Sequence, residues 1–154
     1  MNDENRSMQD IIGLHLELHR ELRKEIEGLS SEELNWTPGP GTSSIGTIVT
    51  HVLGGQAEML RNVLEMPTAR NREAEFAAQN HEADQLLRLL DVTDDDWQQL
   101  APRLRDGDLQ ALRTRPNKPV PQSSLFWLVR NYGHLREHLA QVQLTRQLYE
   151  STRT

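Results

Sequence analysis

The chain has no cysteine among its 154 residues. That excludes disulfides, thiolate metal ligands and a thiol nucleophile of its own, and it fits a cytoplasmic protein. No apolar run approaches the roughly 18 residues of a membrane span, and the first 25 residues are rich in charge, so neither a span nor a secretory signal is expected. Basic residues are in the minority, 17 Lys and Arg against 23 Asp and Glu, for a net charge of -6 with both signs interspersed. Nucleic acid is therefore not the expected partner, since it would favour a basic patch. Internal repeats and low-complexity segments are missing too. A chain of this length is expected to fold as one domain over residues 1–154, with a real hydrophobic core.

What is present is helical periodicity. A long proline-free segment runs from about Ser123 to Glu150, where Leu125, Leu128, Tyr132, Leu135, Leu139 and Val142 recur at spacings of three and four. Ser123 or Ser124 can cap its start. On this helix His134 and His138 lie one turn apart, on the flank of the apolar stripe, with Cβ atoms about 5–6 Å apart. Trp127, Gln141 and Thr145 share their sector, while Glu137 falls nearly opposite the stripe. Two imidazoles so placed can reach one metal ion, or they can be incidental half-buried side chains. A third ligand is needed to decide.

Earlier in the chain, Met8, Ile11, Ile12, Leu18, Leu22, Ile26 and Leu29 mark a first helix from about Ser7 that stops at Gly28. His15 falls near the centre of its stripe and His19 near the edge; His15 is either a hydrogen-bonded core residue or a wall of a site. Residues 30–44, with Pro38-Gly39-Pro40-Gly41, read as a loop in which Ser31–Leu34 form a helical turn and Trp36 packs back. A second helix begins at Ser43 or Ser44 and ends near Met66-Pro67, with His51 on its flank as His134 is on its own. Gly54-Gly55 inside that helix costs roughly 1 kcal/mol per residue relative to Ala. The pair serves close helix packing, room beside His51, or both.

Residues 67–79 look irregular or weakly helical. A third helix is expected from about Asn80, with Glu82 and Asp84 in its first turn and no role for His81. Thr93-Asp94-Asp95-Asp96 reads as an N-cap that starts a further helix or extends the third after a break. Residues 105–122, with Asp106-Gly107, Asn117 and three prolines, read as a connection with a short hairpin around Asp106-Gly107 that covers one end of the molecule or an opening to a site. Four major helices and little strand predict an all-α four-helix bundle.

The chain thus offers His51, His134 and His138. Three imidazoles with a fourth position left for water or substrate would make a catalytic rather than structural site, and Zn, Ni, Fe or Mn all accept such ligands. His134-Leu135-Arg136-Glu137-His138 also satisfies the H-x-x-E-H pattern of one peptidase group, but the chain ends at residue 154 with little room for a further downstream ligand, and Glu137 points out of the His sector. Peptidase is rejected.

The arrangement of Ser43-Ser44-Ile45-Gly46-Thr47-Ile48-Val49-Thr50-His51-Val52, the Trp36–Pro40 loop before it, and His134-Leu135-Arg136-Glu137-His138-Leu139-Ala140-Gln141 resembles the DinB-like (YfiT-like) superfamily, which is unrelated to the DNA polymerase of similar name. The likeness covers nearly the whole chain. It implies an up-down-down-up bundle, a divalent metal held by His51, His134 and His138, and a homodimer. It further implies a metal-dependent transferase or hydrolase acting on a small molecule, in some relatives with a low-molecular-weight thiol such as bacillithiol or mycothiol as cosubstrate. The alternative is a non-catalytic metal-binding stress-response protein or a dimeric helical interaction protein. By wheel geometry Glu58, Asn131, Gln141 and Thr145, joined by His15 from the first helix, are the polar residues placed to orient ligands or meet substrate.

Overall fold

The computed structural model describes residues 5–116 and 118–153. Four long helices carry the fold: α1 (Arg6–Ile26), α3 (Ile45–Val63), α5 (Ala83–Gln99) and α6 (Ser124–Ser151), with short helices α2 (Ser31–Asn35) and α4 (Arg72–Ala77) between them. Strands β1 (Leu112–Arg115) and β2 (Lys118–Ser123) form an antiparallel hairpin just before α6. α6 spans about 42 Å at 1.5 Å per residue. Its start is capped by Ser123, whose hydroxyl accepts from the Phe126 amide. Ser44 does the same for α3 through the Thr47 amide, and Ser30 with Glu33 forms a capping box on α2.

Side-chain pairs give the helix directions. His15 of α1 meets the Leu128 carbonyl, Glu21 meets Arg136 and Glu25 meets Arg146, so α1 and α6 rise together. Asp94 and Asp91 of α5 meet His19 and Arg23, so α5 runs down beside α1. In α3, His51 faces His134 and His138 while Gln56 faces Asn131, so α3 also runs down. The bundle is therefore up-down-down-up, with α5 and α6 each packed between α1 and α3. Because α3 and α5 descend in parallel, residues 64–82 must return along the outside of α3, and they carry α4 past His51.

The core forms two apolar layers. One holds Leu18, Leu22, Val52, Leu53, Leu90, Leu135 and Leu139; the other holds Met8, Met59, Leu60, Trp97 and Leu128. Between them lies a buried polar layer of His15, His19, Gln56 and Asn131.

Several expectations are corrected. The hairpin lies not around Asp106-Gly107 but at β1–β2; residues 106–110 form a 3-10 turn. The Asp106 carboxylate instead accepts from the Ser7 and Met8 amides and caps α1, which has no cap from its own preceding side chain. Asn117 of that connection lies outside the described residues. Thr93-Asp94-Asp95-Asp96 starts no helix, because α5 runs through it unbroken. Asp94 is taken by His19 and Arg23, and Asp96 by Arg61, and these partners, not a helix N-terminus, account for the acidic run. His81, given no role, is buried against Gly46, where a β-carbon would overlap its ring. Its third helix begins at Ala83, with Glu82 as N-cap.

Candidate metal centre

α3 and α6 pack antiparallel with His51 on one facing His134 and His138 on the other. One candidate ligand atom from each of the three lies within 4.8 Å of the others. His51 is buried and the other two are half-buried, so the group sits at the edge of the interior. The Nε2 atoms of His134 and His138 are 3.1 Å apart. Two imidazole nitrogens on one tetrahedral ion, each bonded at 2.0–2.1 Å, would stand about 3.3 Å apart. The spacing already suits a shared ion.

The surrounding hydrogen bonds set the tautomers. His138 Nδ1 lies 2.7 Å from Gln141 Oε1, which can only accept, so Nδ1 carries the proton and Nε2 presents its lone pair. His51 Nδ1 lies 3.3 Å from Glu75 Oε2 and 3.1 Å from Arg70 Nη2. Nη2 has two hydrogens, and the His51 carbonyl at 3.0 Å and Glu75 Oε2 at 2.8 Å take both. The Nδ1 proton therefore goes to Glu75, and Nε2 of His51 is left free as well. A carboxylate or amide behind a ligating imidazole is the usual support of a metal-bound histidine. Burial, then the neighbouring His138, His51, Arg70 and Arg115, push His134 down to about 4. Burial, Arg70 and His138 lower His51 in spite of Glu75. Both are neutral, as ligands must be. The donor set fits a divalent ion.

The group opens on a cavity of about 740 Å³. Of the candidate neighbours, Glu58 and Asn131 line it, and Gln141 holds His138. His15 stands back in the polar layer, stacked on Trp97 at 3.9 Å and bonded to Gln56; it reaches the cavity only through Gln56 and Asn131. Thr145 is buried farther along α6 and does not line the cavity. Glu137, which the wheel turns away from the His sector, is on the cavity rim.

Sequence reasoning missed Arg70, Glu75 and Arg115. Arg70 and Glu75 belong to the irregular return segment, where no periodicity assigns a face. Gly54 was their one signal. A β-carbon there would overlap the Glu75 carboxylate, so the glycine makes room for the side chain that supports His51. Arg115 comes from β1 and shares Glu58 Oε2 with Arg70, at 2.8 and 3.0 Å.

The sequence profile of the DinB superfamily matches residues 15–142, a span that includes all three histidines. The chain belongs to the DinB superfamily. Solved structures of similar fold include a DinB-like protein from Bacillus cereus ATCC 10987, at TM-score 0.77 and 13% identity over 92% of each chain. YfiT from Bacillus subtilis, described as a probable metal-dependent hydrolase with an unusual four-helix bundle topology, matches at TM-score 0.75 and 14% identity over 96% of this chain and 89% of its own. A protein assigned to the DinB family from Exiguobacterium sibiricum 255-15 reaches 24% identity at TM-score 0.58, over 97% and 94%. At these identities the likeness is one of fold. No curated protein sequence matches the chain. Among the described residues of this DinB-superfamily protein, no helix is long and apolar enough to cross a membrane.

Proposed function

We propose that the protein is a divalent-metal-dependent enzyme, a transferase or hydrolase, acting on a small molecule in the cavity beside His51, His134 and His138. The observation that carries this reading is the convergence of three imidazoles, two with their Nδ1 atoms engaged elsewhere, at the mouth of a cavity of small-molecule size. A bound divalent ion supplies Lewis acidity there and lowers the pKa of a coordinated water or thiol. Imidazole donors leave zinc, nickel, iron and manganese all open. The chain has no cysteine, so a thiol nucleophile would be a cosubstrate of low molecular weight.

The chain's own residues do the positioning. Gln141 and Glu75 hold the rings of His138 and His51. Phe76, 4.8 Å from the His51 ring, shields it on the return-segment side. Arg70 braces Glu75 and Glu58 together. Asn131, turned by its bond from Gln56, forms the cavity floor next to His134. The homodimer implied by the family resemblance, and the cytoplasmic location that the cysteine-free composition fits, are part of this proposal.

Elemental analysis of the untagged protein, beside a His134→Ala, His138→Ala double variant, tests the reading. About one divalent ion per chain is expected, lost in a variant whose far-UV circular dichroism stays helical. A wild type that takes up no zinc, nickel, iron or manganese would end it.

A further inference from the structure

The cavity beside the three histidines is basic in an acidic protein. Arg70, Arg72, Arg115, Lys118 and Arg130 line it, five of the chain's 17 Lys and Arg, against Glu58 and Glu137 from its 23 acids. The net charge of -6 thus conceals a local excess of the opposite sign.

Local pairing does not cancel that excess. Arg70 is matched by Glu75, which it meets at 2.7 Å. Glu58 offers one oxygen to both Arg70 and Arg115. Arg72, Lys118 and Arg130 make no ion pair among the described residues, and Glu137 is the one other acid on the wall. Arg72 lies over the Phe76 ring at 5.7 Å.

Arg115 is the most built of these groups. Its guanidinium lies 5.7 Å over the Trp127 ring and donates to Glu58, so the fork is fixed in place. Yet its Nε is buried without a hydrogen-bond partner among the described residues. Buried donors are rarely left so, and an acceptor from a ligand would satisfy it. Lys118 is the cross-strand partner of Arg115 in the hairpin. Arg130 stands on the α6 wall of the same cavity, one turn before His134.

We infer that the substrate carries an anionic group, a carboxylate or a phosphate, bound against Arg115, Lys118 and Arg130 while its reacting end faces the histidines. This rests on the reading of the cavity as a substrate site. The electrostatics are consistent with it: imidazole ligands carry no negative charge to offset a divalent ion, so a site already flanked by guanidiniums gains most from a ligand that is negative.

The test is isothermal titration with inorganic phosphate and, separately, succinate. It is run on the wild type, on a Lys118→Gln, Arg130→Gln variant and on metal-free His134→Ala. Saturable binding is expected to the wild type, falling about tenfold in the double variant as two exposed charge contacts are lost, and persisting in His134→Ala. The tighter of the two anions identifies the group. Equal affinity in wild type and double variant, no saturable binding of either anion, or binding abolished by His134→Ala would overturn the proposal. Because binding is read without metal, it stands or falls apart from the elemental analysis. Circular dichroism checks the fold of the double variant, whose two substituted side chains are exposed.

Discussion

Gln56 is the side chain that orders the middle of the core. Its amide nitrogen donates to Asn131 Oδ1 at 2.5 Å, and Asn131 Nδ2 donates to the Gly55 carbonyl. The Gln56 oxygen is thereby turned to His15 Nδ1 at 2.8 Å and His19 Nε2 at 3.1 Å, from which it accepts. His19 in turn meets Asp94, whose carboxyl stays below its usual range because bonds from His19 and Arg23 outweigh the effect of burial. His15 has no such counter-charge, and burial pushes it down to about 4. Folded His15 therefore takes up its proton only near pH 4, whereas in the unfolded chain it does so near 6.5. Between those values the unfolded chain binds more protons, so the stability this neutral imidazole contributes is full above about 6.5 and is lost as pH falls towards 4. The shift corresponds to about 3 kcal/mol. Urea unfolding at about pH 7.5 and pH 4 should show the wild type losing about 3 kcal/mol more than a His15→Phe variant, which keeps the ring against Trp97. Equal losses in the two chains would mean that His15 is not a buried neutral group.

The return segment with α4 is the element that turns three histidines into a supported site. It has little hold of its own: its six-residue helix buries none of its residues, and it is fixed through Arg70, Glu75 and Phe76 against α3. A Gly54→Ala substitution separates its role from that of the bundle. Alanine improves the helix interior by about 1 kcal/mol, but its β-carbon occupies the place of the Glu75 carboxylate. Chelator competition should show metal affinity reduced by about 10- to 100-fold, the usual effect of losing such a support, while the unfolding midpoint changes little. Unchanged affinity would show that Glu75 has no part in holding the metal.

Across the molecule, the site adds a link between α3 and α6 to their apolar packing and to the bonds that Asn131 makes with Gln56 and Gly55. An ion bridging them binds the folded chain and not the unfolded one. At a hundredfold excess over its Kd it adds about 2.7 kcal/mol, or about 5–10 °C in a chain of this size. Differential scanning calorimetry of the metal-loaded and chelator-treated protein should show this rise, and the His134→Ala, His138→Ala variant should lack it. A midpoint indifferent to metal in the wild type would separate the histidines from the stability of the bundle.

The four long helices were legible because each carries an apolar stripe at 3.6-residue spacing, a local property that survives without knowledge of neighbours. The three histidines could be placed on the flanks of their stripes for the same reason, and the two helix starts could be read to within one residue, at Ser43 or Ser44 and at Ser123 or Ser124. The acidic run at Asp94–Asp96 could not, since its partners are His19, Arg23 and Arg61, tens of residues away in sequence. Neither could Asp106, which caps a helix a hundred residues upstream. Arg70 and Glu75 lie on a return segment and Arg115 on a hairpin, where the chain has no period to assign a face, so their approach to His51 and Glu58 exists only once the return runs along the outside of α3 and the hairpin leads into α6. Periodicity in the residues specifies what each helix buries; the long-range pairing of charges and the path of the connections specify what meets at the cavity.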